Sequence, residues 1–101
     1  MGKRTLNPES MPIPRGSYSQ VTIAKPGRLV FIAGNTANDP GGMTVGVGDV
    51  RVQTRHALTK LIRGMEAAGG TKDDLVVLTV STTDVRYHRD INEVRREGSR
   101  I

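Results

Sequence analysis

The sequence contains no cysteine, which excludes disulfide bonds, thiolate metal ligands and cysteine nucleophiles. Aromatic residues are also scarce: one phenylalanine, two tyrosines and no tryptophan amount to 3% of the 101 residues. Valine, isoleucine, leucine, methionine and alanine must therefore supply nearly all of the core. A thin core in a short chain favours further burial against a partner subunit.

Long apolar runs are missing as well. No stretch approaches the length of a membrane span, and the opening "MGKRTLNPESMPIP" lacks the apolar centre of a signal peptide. These features, with the absence of cysteine, lead us to expect a cytoplasmic protein without a membrane partner. The net charge of +5 and a pI near 10.2 permit anionic substrates or nucleic acid as partners.

The first half of the chain predicts a hairpin. Residues 1–16 carry three of the five prolines and predict an extended lead-in to one domain that covers residues 1–101. Polar and apolar residues alternate from Ser19 to Ala24, which indicates a half-buried strand. The turn sequence "KPGR" and the apolar run "LVFIAG" follow, so residues 18–34 are expected to form two paired strands.

The second half predicts two helices around one strand. Apolar residues recur at three- and four-residue spacing from Thr54 to Ala68, with Asp49 as the N-cap and Gly69 at the end. The β-branched run "LVVLTVSTT" predicts a strand covered on both faces, and "YHRDINEVRRE" predicts a second helix. The order β-β-α-β-α indicates an α+β fold with the helices packed on one face of the sheet.

Named catalytic motifs are absent from the sequence. "GVGDVR" at Gly46–Arg51 lacks a third glycine, so a loop leading into the helix is the better interpretation. His56 and His88 fall in different helices, without the spacing of metal ligands, and we predict no metal site. No serine lies in a GxSxG elbow.

Two groups of residues remain as candidates for function. One is the basic helix face, which permits contact with phosphates but carries no interleaved aromatic residues for base stacking: Arg51, Arg55, His56, Lys60 and Arg63. Nucleic-acid binding is therefore possible but not favoured. The other group consists of small polar residues and a glycine at the ends of strands and helices, which would have to converge on a pocket: Tyr18, Gly34, Asn35 and Asn92.

Five segments resemble the Rid family, also called the YjgF family, in order and spacing over most of residues 8–97. They are "GSYSQ", "LVFIAGN", "QTRHALTKL", "AAGGTKDDLVVLTVSTTD" and "INEV". The resemblance implies a chorismate-mutase-like fold and a homotrimer with sites in the clefts between subunits. It also implies hydrolysis of reactive enamines and imines, of the 2-aminoacrylate and 2-iminopropanoate type, to a 2-keto acid and ammonium, without a metal or organic cofactor.

The resemblance also implies roles for individual residues. Tyr18 matches a tyrosine that borders the cleft, Gly34 a glycine whose backbone approaches the ligand, and Asn92 an asparagine near the bound carboxylate. Tyr18 and Asn92 are thus the expected catalytic residues, and Gly34 and Asn35 are expected to bind substrate. The sequence departs from the family pattern at four positions, where the pattern has proline, serine, glutamine and asparagine: Ser17, Ala33, Asn35 and Lys60.

The family's P-x-R segment and its last sheet strands have no counterpart before Ile101. That segment supplies the arginine that pairs with the substrate carboxylate, so we expect weak or no deaminase activity unless Arg100 takes this role. Two alternatives stay open. One is an RNA-interacting module of the translation-inhibitor or endoribonuclease type, and the other is a non-catalytic paralogue that binds small ligands.

Overall fold

The computed structural model describes residues 3–16, 18–25 and 27–97. It confirms an α+β fold of two strands and two helices, joined by two short 3₁₀ turns at Lys72–Asp74 and Val85–Tyr87. The strands are β1 (Lys3–Leu6) and β2 (Val21–Ala24), and the helices are α1 (Val50–Ala67) and α2 (His88–Arg96).

Strand β2 lies where the alternating sequence predicted it, but its partner differs from the expected one. It pairs antiparallel with β1, so that Lys3 lies opposite Ala24 and Leu6 opposite Val21. The predicted hairpin over residues 18–34 is therefore replaced by a pairing with the lead-in. Residues 3–6 are able to join a ladder because they hold no proline, and the prolines begin only at Pro8.

The two other predicted strands are not formed in the described part of the chain. Residues 29–34 ("LVFIAG") and 75–83 ("LVVLTVSTT") have no regular secondary structure there. Their β-branched composition suits a strand, but strand geometry is stabilised by a neighbouring backbone, and the described sheet contains β1 and β2 alone.

Helix α1 begins and ends as the sequence predicted. The Asp49 carboxylate accepts hydrogen bonds from the backbone N–H groups of Arg51 and Val52, both at 3.1 Å. After the helix, Gly69 adopts a φ of 92°, a left-handed conformation that favours glycine, and the N–H of Gly70 donates to the Met65 carbonyl at 2.9 Å.

The core is small and centres on the contact between the helices. Met65 of α1 and Ile91 and Val94 of α2 are buried, and Ala37 joins them from the loop before α1. On α2 the buried positions are three residues apart, as expected for one helix face. Because so few side chains are buried, much apolar surface stays accessible on the segments that form no strand.

Candidate functional site

An open groove of about 1660 Å³ lies between the inner face of α1 and the two segments that form no strand. Leu58, Leu61 and Met65 line it from α1, and Ile91 and Arg95 line it from α2. Arg95 is a charged group in an otherwise apolar wall, and its partial burial lowers the pKa of the guanidinium. Arg95 was not predicted as a groove residue, because its charge suggested a solvent-facing position. Its spacing of four residues from Ile91 was the signal that could have placed it on the same helix face.

Asn35 is the residue of the predicted site that lines this groove. Its side-chain Nδ2 donates to the carbonyl of Ala33 at 3.0 Å, so the amide is held close to its own backbone. The Oδ1 atom remains available to accept a hydrogen bond from a ligand. Asn35 is therefore positioned as an acceptor at the edge of an apolar space.

Tyr18 and Gly34 are both open to solvent. Tyr18 is 57% exposed, and its ring lies beside Gly16, where a Cβ atom would be 3.3 Å from the ring atoms Cδ1 and Cε1. The Tyr18 hydroxyl makes no hydrogen bond within the described residues. A Cβ atom on Gly34 would have no heavy atom within 4 Å, so the space over its backbone is free for a ligand.

Asn92 lies on α2, one position after the buried Ile91, and it is partly exposed. Its Nδ2 is 3.0 Å from Nε2 of His88, one helical turn earlier. An amide nitrogen is a donor, so this contact requires an unprotonated Nε2 on His88. Asn92 does not line the groove.

The groove brings in only one of the predicted site residues within the described chain. Asn35 lines the groove, whereas Tyr18, Gly34 and Asn92 lie outside its lining. Arg100 lies outside the residues that the structure describes. The assignment of these residues to one site stays a prediction, and it is a prediction about a cleft to which more than one subunit contributes.

Two side chains of the basic helix face, His56 and Lys60, hold the loop after Asn35 against α1. Lys60 Nζ donates to the carbonyls of Thr36 at 3.1 Å and Asn38 at 3.2 Å, and His56 Nε2 lies 2.9 Å from the Asn38 carbonyl. A carbonyl accepts, so His56 donates through Nε2. His56 and Lys60 are one helical turn apart, and this spacing was the sequence signal that both side chains could contact the same group.

Two other residues of the basic helix face, Arg51 and Arg55, are paired with acidic side chains on α2 or at its C-terminal end. Arg51 forms ion pairs with Asp90 and Glu93, and Arg55 donates two hydrogen bonds of 2.8 Å to the carboxylate of Glu97. The hydrogen bond that Arg51 donates to Glu93 raises the pKa of Arg51, and the one that Arg55 donates to Glu97 lowers the pKa of Glu97. These guanidinium groups are therefore engaged within the chain instead of facing an external phosphate.

Metal binding and membrane insertion find no support in the described residues. Among residues 3–16, 18–25 and 27–97, no group of three or more histidine, aspartate or glutamate side chains is arranged to hold a metal ion. Within the same residues, no helix combines the length and hydropathy needed to cross a membrane.

Comparison with known proteins gives consistent matches. The family model described as endoribonuclease L-PSP matches residues 8–100. A RutC family protein of Pyrococcus horikoshii is 36% identical over 95 residues, which cover 94% of this chain and 74% of that protein. One from Pyrococcus abyssi is 33% identical over 97 residues, covering 96% and 75%.

A solved structure is also similar. It is the crystal structure of a protein of unknown function from Yersinia pestis, named YyfB and described as a member of the conserved Rid protein family. The match has a TM-score of 0.77 and 29% sequence identity, and it covers 92% of this chain and 72% of that one.

Proposed function

The chain belongs to the Rid family, and from this premise we propose that it hydrolyses reactive enamines and imines of the 2-aminoacrylate and 2-iminopropanoate type. The observation that carries the proposal is the family match, which runs from residue 8 to residue 100 instead of resting on one motif. A small-ligand function also agrees with the free space over Gly34.

The proposed reaction needs little from the protein beyond orientation. An enamine first gains a proton on its terminal carbon and becomes the iminium, which is the protonated form of the imine. Water then adds to the C=N carbon, and the resulting carbinolamine loses ammonia as the C=O bond forms, giving a 2-keto acid and, after protonation, ammonium. The protein holds the substrate carboxylate and places one water molecule against the electrophilic carbon. This orientation supplies most of the increase in rate over bulk solution.

Tyr18, Gly34 and Asn92 are assigned to the binding of this substrate. The free hydroxyl of Tyr18 is available to hold the attacking water, and the open backbone at Gly34 leaves room for a planar imine. Asn92 is assigned to the carboxylate, with Arg100 as the charged partner, since a carboxylate away from bulk water is best held by a guanidinium. Asn35 is assigned an acceptor role toward the imine N–H.

A homotrimer is part of the proposal. Tyr18, Gly34 and Asn92 do not line the groove within the described chain, and Tyr18 and Gly34 are exposed. A site between subunits agrees with this exposure, and the small core also favours association. Light scattering at micromolar concentration tests this part separately: a mass of three chains is expected, and a monomer would contradict it.

The activity is tested by generating the imine in place. A serine dehydratase releases 2-aminoacrylate, and keto-acid formation is followed with and without this protein. We expect the decay of the imine to accelerate in proportion to protein concentration. If the rate does not change at any protein concentration, the deaminase proposal is wrong. Saturable binding of a 2-keto acid without acceleration would instead identify a ligand-binding paralogue.

A further inference from the structure

Arg96, in the last turn of α2, contacts the segment that leads into β2. Its Nη2 donates a hydrogen bond of 2.6 Å to the backbone carbonyl of Arg15, although the two residues are 81 positions apart in the sequence. A guanidinium is a charged donor, so this bond is stronger than one between two neutral groups. The C-terminal end of α2 is therefore joined to the chain just before Tyr18.

The Arg15 carbonyl belongs to the same peptide unit as the N–H of Gly16, and the ring of Tyr18 lies against Gly16. A Cβ atom on Gly16 would be 3.3 Å from Cδ1 and from Cε1 of that ring. Through these contacts, Nη2 of Arg96 is no more than about 10 Å from the Tyr18 ring. An interaction that fixes the Arg15–Gly16 peptide therefore also restricts the position of the ring.

The segment between β1 and β2 is held at other points by Gln20. The backbone N–H of Gln20 donates to Oδ1 of Asn7 at 2.9 Å, and its Nε2 donates to the Pro12 carbonyl at 2.7 Å. The contact with Arg96 fixes a further point, between Pro12 and Gln20. Each fixed point lowers the number of conformations that the segment can adopt, and this one acts closest to Tyr18.

Asn92 and Arg96 share one face of α2, because they are four residues apart in the helix. The same face carries His88, whose Nε2 lies 3.0 Å from Nδ2 of Asn92. Side chains at this spacing have Cβ atoms about 5–6 Å apart, so the contact with Arg15 starts one helical turn from Asn92. One helix face thus carries Asn92 and also the residue that holds the chain beside Tyr18.

We propose that Arg96 is a positioning residue of the imine site, because its hold on the Arg15 carbonyl fixes where the ring of Tyr18 lies. Asn92 is on the same face of α2, so the contact also fixes Tyr18 relative to Asn92. A water molecule held by one of these residues and a carboxylate held by the other need a constant separation. The effect on activity rests on the proposed imine hydrolysis, whereas the effect on Tyr18 does not.

The position of Tyr18 is tested without any substrate. The chain has two tyrosines and no tryptophan, so Tyr87→Phe leaves Tyr18 as its single tyrosine. In this background, time-resolved fluorescence anisotropy measures the motion of the Tyr18 ring on the nanosecond timescale. Arg96→Met removes every side-chain N–H at this position and should lower the residual anisotropy. Arg96→Lys keeps a cationic donor for the carbonyl and should preserve most of it.

The matched control is Arg89→Met. Arg89 is also an exposed arginine of α2, and its ion pair is with Glu93 of the same helix. The anisotropy of Tyr18 should therefore stay unchanged in this variant. Circular dichroism shows whether each variant keeps its helices. If Arg96→Met does not, Arg96→Gln takes its place, because the glutamine side chain is polar but shorter than that of arginine.

The dehydratase-coupled assay adds a kinetic test. Arg96→Met should lower kcat by about threefold or more with KM nearly unchanged, because Tyr18 is assigned to the water and not to the carboxylate. In a Tyr18→Phe background the same substitution should have little further effect, since Arg96 acts through Tyr18. Arg96→Lys should recover most of the loss, and Arg89→Met should match wild type.

Two kinds of result would overturn the proposal. If the anisotropy of Tyr18 is equal with and without Arg96→Met, Arg96 does not position Tyr18, whatever the activity. If the losses from Tyr18→Phe and Arg96→Met are fully additive, or if KM alone rises, Arg96 acts on the substrate directly. A wild type that does not hydrolyse the imine, with the expected change in anisotropy, would contradict the proposed function and leave the hold on Tyr18 in place.

Discussion

Arg51 and Asp90 join the two helices: Nε of Arg51 lies 3.1 Å from Oδ1 of Asp90 across the α1–α2 interface. The same guanidinium also contacts Glu93. Because the pairs are solvent-accessible, each contributes modestly, and their combined effect is to orient α2 on α1. We expect Arg51→Met to lower the thermal unfolding midpoint slightly, and added salt to reduce the difference between variant and wild type.

The matched control for this prediction is Arg63→Met, on the same helix outside these ion pairs. Circular dichroism melts in low and high salt measure both variants. A midpoint for Arg51→Met that is indistinguishable from that of Arg63→Met in low salt would show that the ion pairs do not hold the helices together.

The ionisation of Glu97 makes the stability of the fold depend on pH. Its pKa is lowered, chiefly by the hydrogen bond from Arg55, so its ionised form is favoured in the folded chain. A carboxylate with a depressed folded pKa stabilises the fold above its unfolded value, and this contribution is lost as the pH falls through the folded pKa. Below a pH of about 4.5, the ordinary value for glutamate, wild type should therefore lose stability more steeply than Glu97→Gln.

Urea unfolding between neutral pH and pH 3 measures this difference. Glu66→Gln serves as the control, since Glu66 is exposed on α1 and makes no ion pair within the described residues. If the stability of wild type and of Glu97→Gln fell in parallel with pH, the proposed contribution of the ionised Glu97 carboxylate would be contradicted.

Gly34 and Gly46 should respond oppositely to alanine. A Cβ atom on Gly46 would lie 2.6 Å from Cγ1 of Val52, and the φ of 65° is unfavourable for alanine. Gly46→Ala should therefore destabilise the fold by about 1 kcal/mol or more. A Cβ atom on Gly34 meets nothing within 4 Å, so Gly34→Ala should fold normally and lose imine hydrolysis through contact with the ligand.

Chemical denaturation and the imine assay separate the two effects. Gly27→Ala is the control for Gly34→Ala, because a Cβ atom on Gly27 also has open space around it. Full activity of Gly34→Ala would remove Gly34 from the proposed site. Unchanged stability of Gly46→Ala would show that the loop before α1 relaxes around a new methyl group.

How far the sequence was able to predict the molecule depended on whether an interaction was local. The limits of α1 followed from Asp49 and Gly69, since capping and left-handed φ are properties of a few neighbouring residues. The partner of β2 did not follow, because pairing with Lys3–Leu6 joins distant residues that carry no strong strand signal. The same limit applied to Lys60, whose contact with the Asn38 carbonyl depends on how a loop returns to the helix.

Site residues were harder to predict than the fold. Tyr18, Gly34 and Asn92 were selected by family resemblance, and none of the three lines the groove within the described chain. Arg95 was not predicted because charge normally indicates exposure, whereas here the residue is partly buried and lines the groove.

Arg100 is expected to set the affinity for the substrate carboxylate. Arg100→Ala should raise KM for the imine by about tenfold or more, since it removes a charge-assisted pair, and Arg100→Lys should recover only part of the loss. Arg89→Ala is the control, as Arg89 is highly exposed on α2. An unchanged KM in Arg100→Ala would assign the carboxylate to another residue.

The central claim is that this chain hydrolyses imines at a site that includes Tyr18. The most direct measurement compares Tyr18→Phe with Tyr87→Phe in the dehydratase-coupled assay, because both variants lose one hydroxyl and keep the ring. We predict that wild type and Tyr87→Phe accelerate decay of the imine equally and that Tyr18→Phe is slower by about tenfold or more. Equal acceleration by all three proteins would contradict the role of Tyr18, and no acceleration by any of them would contradict the activity itself.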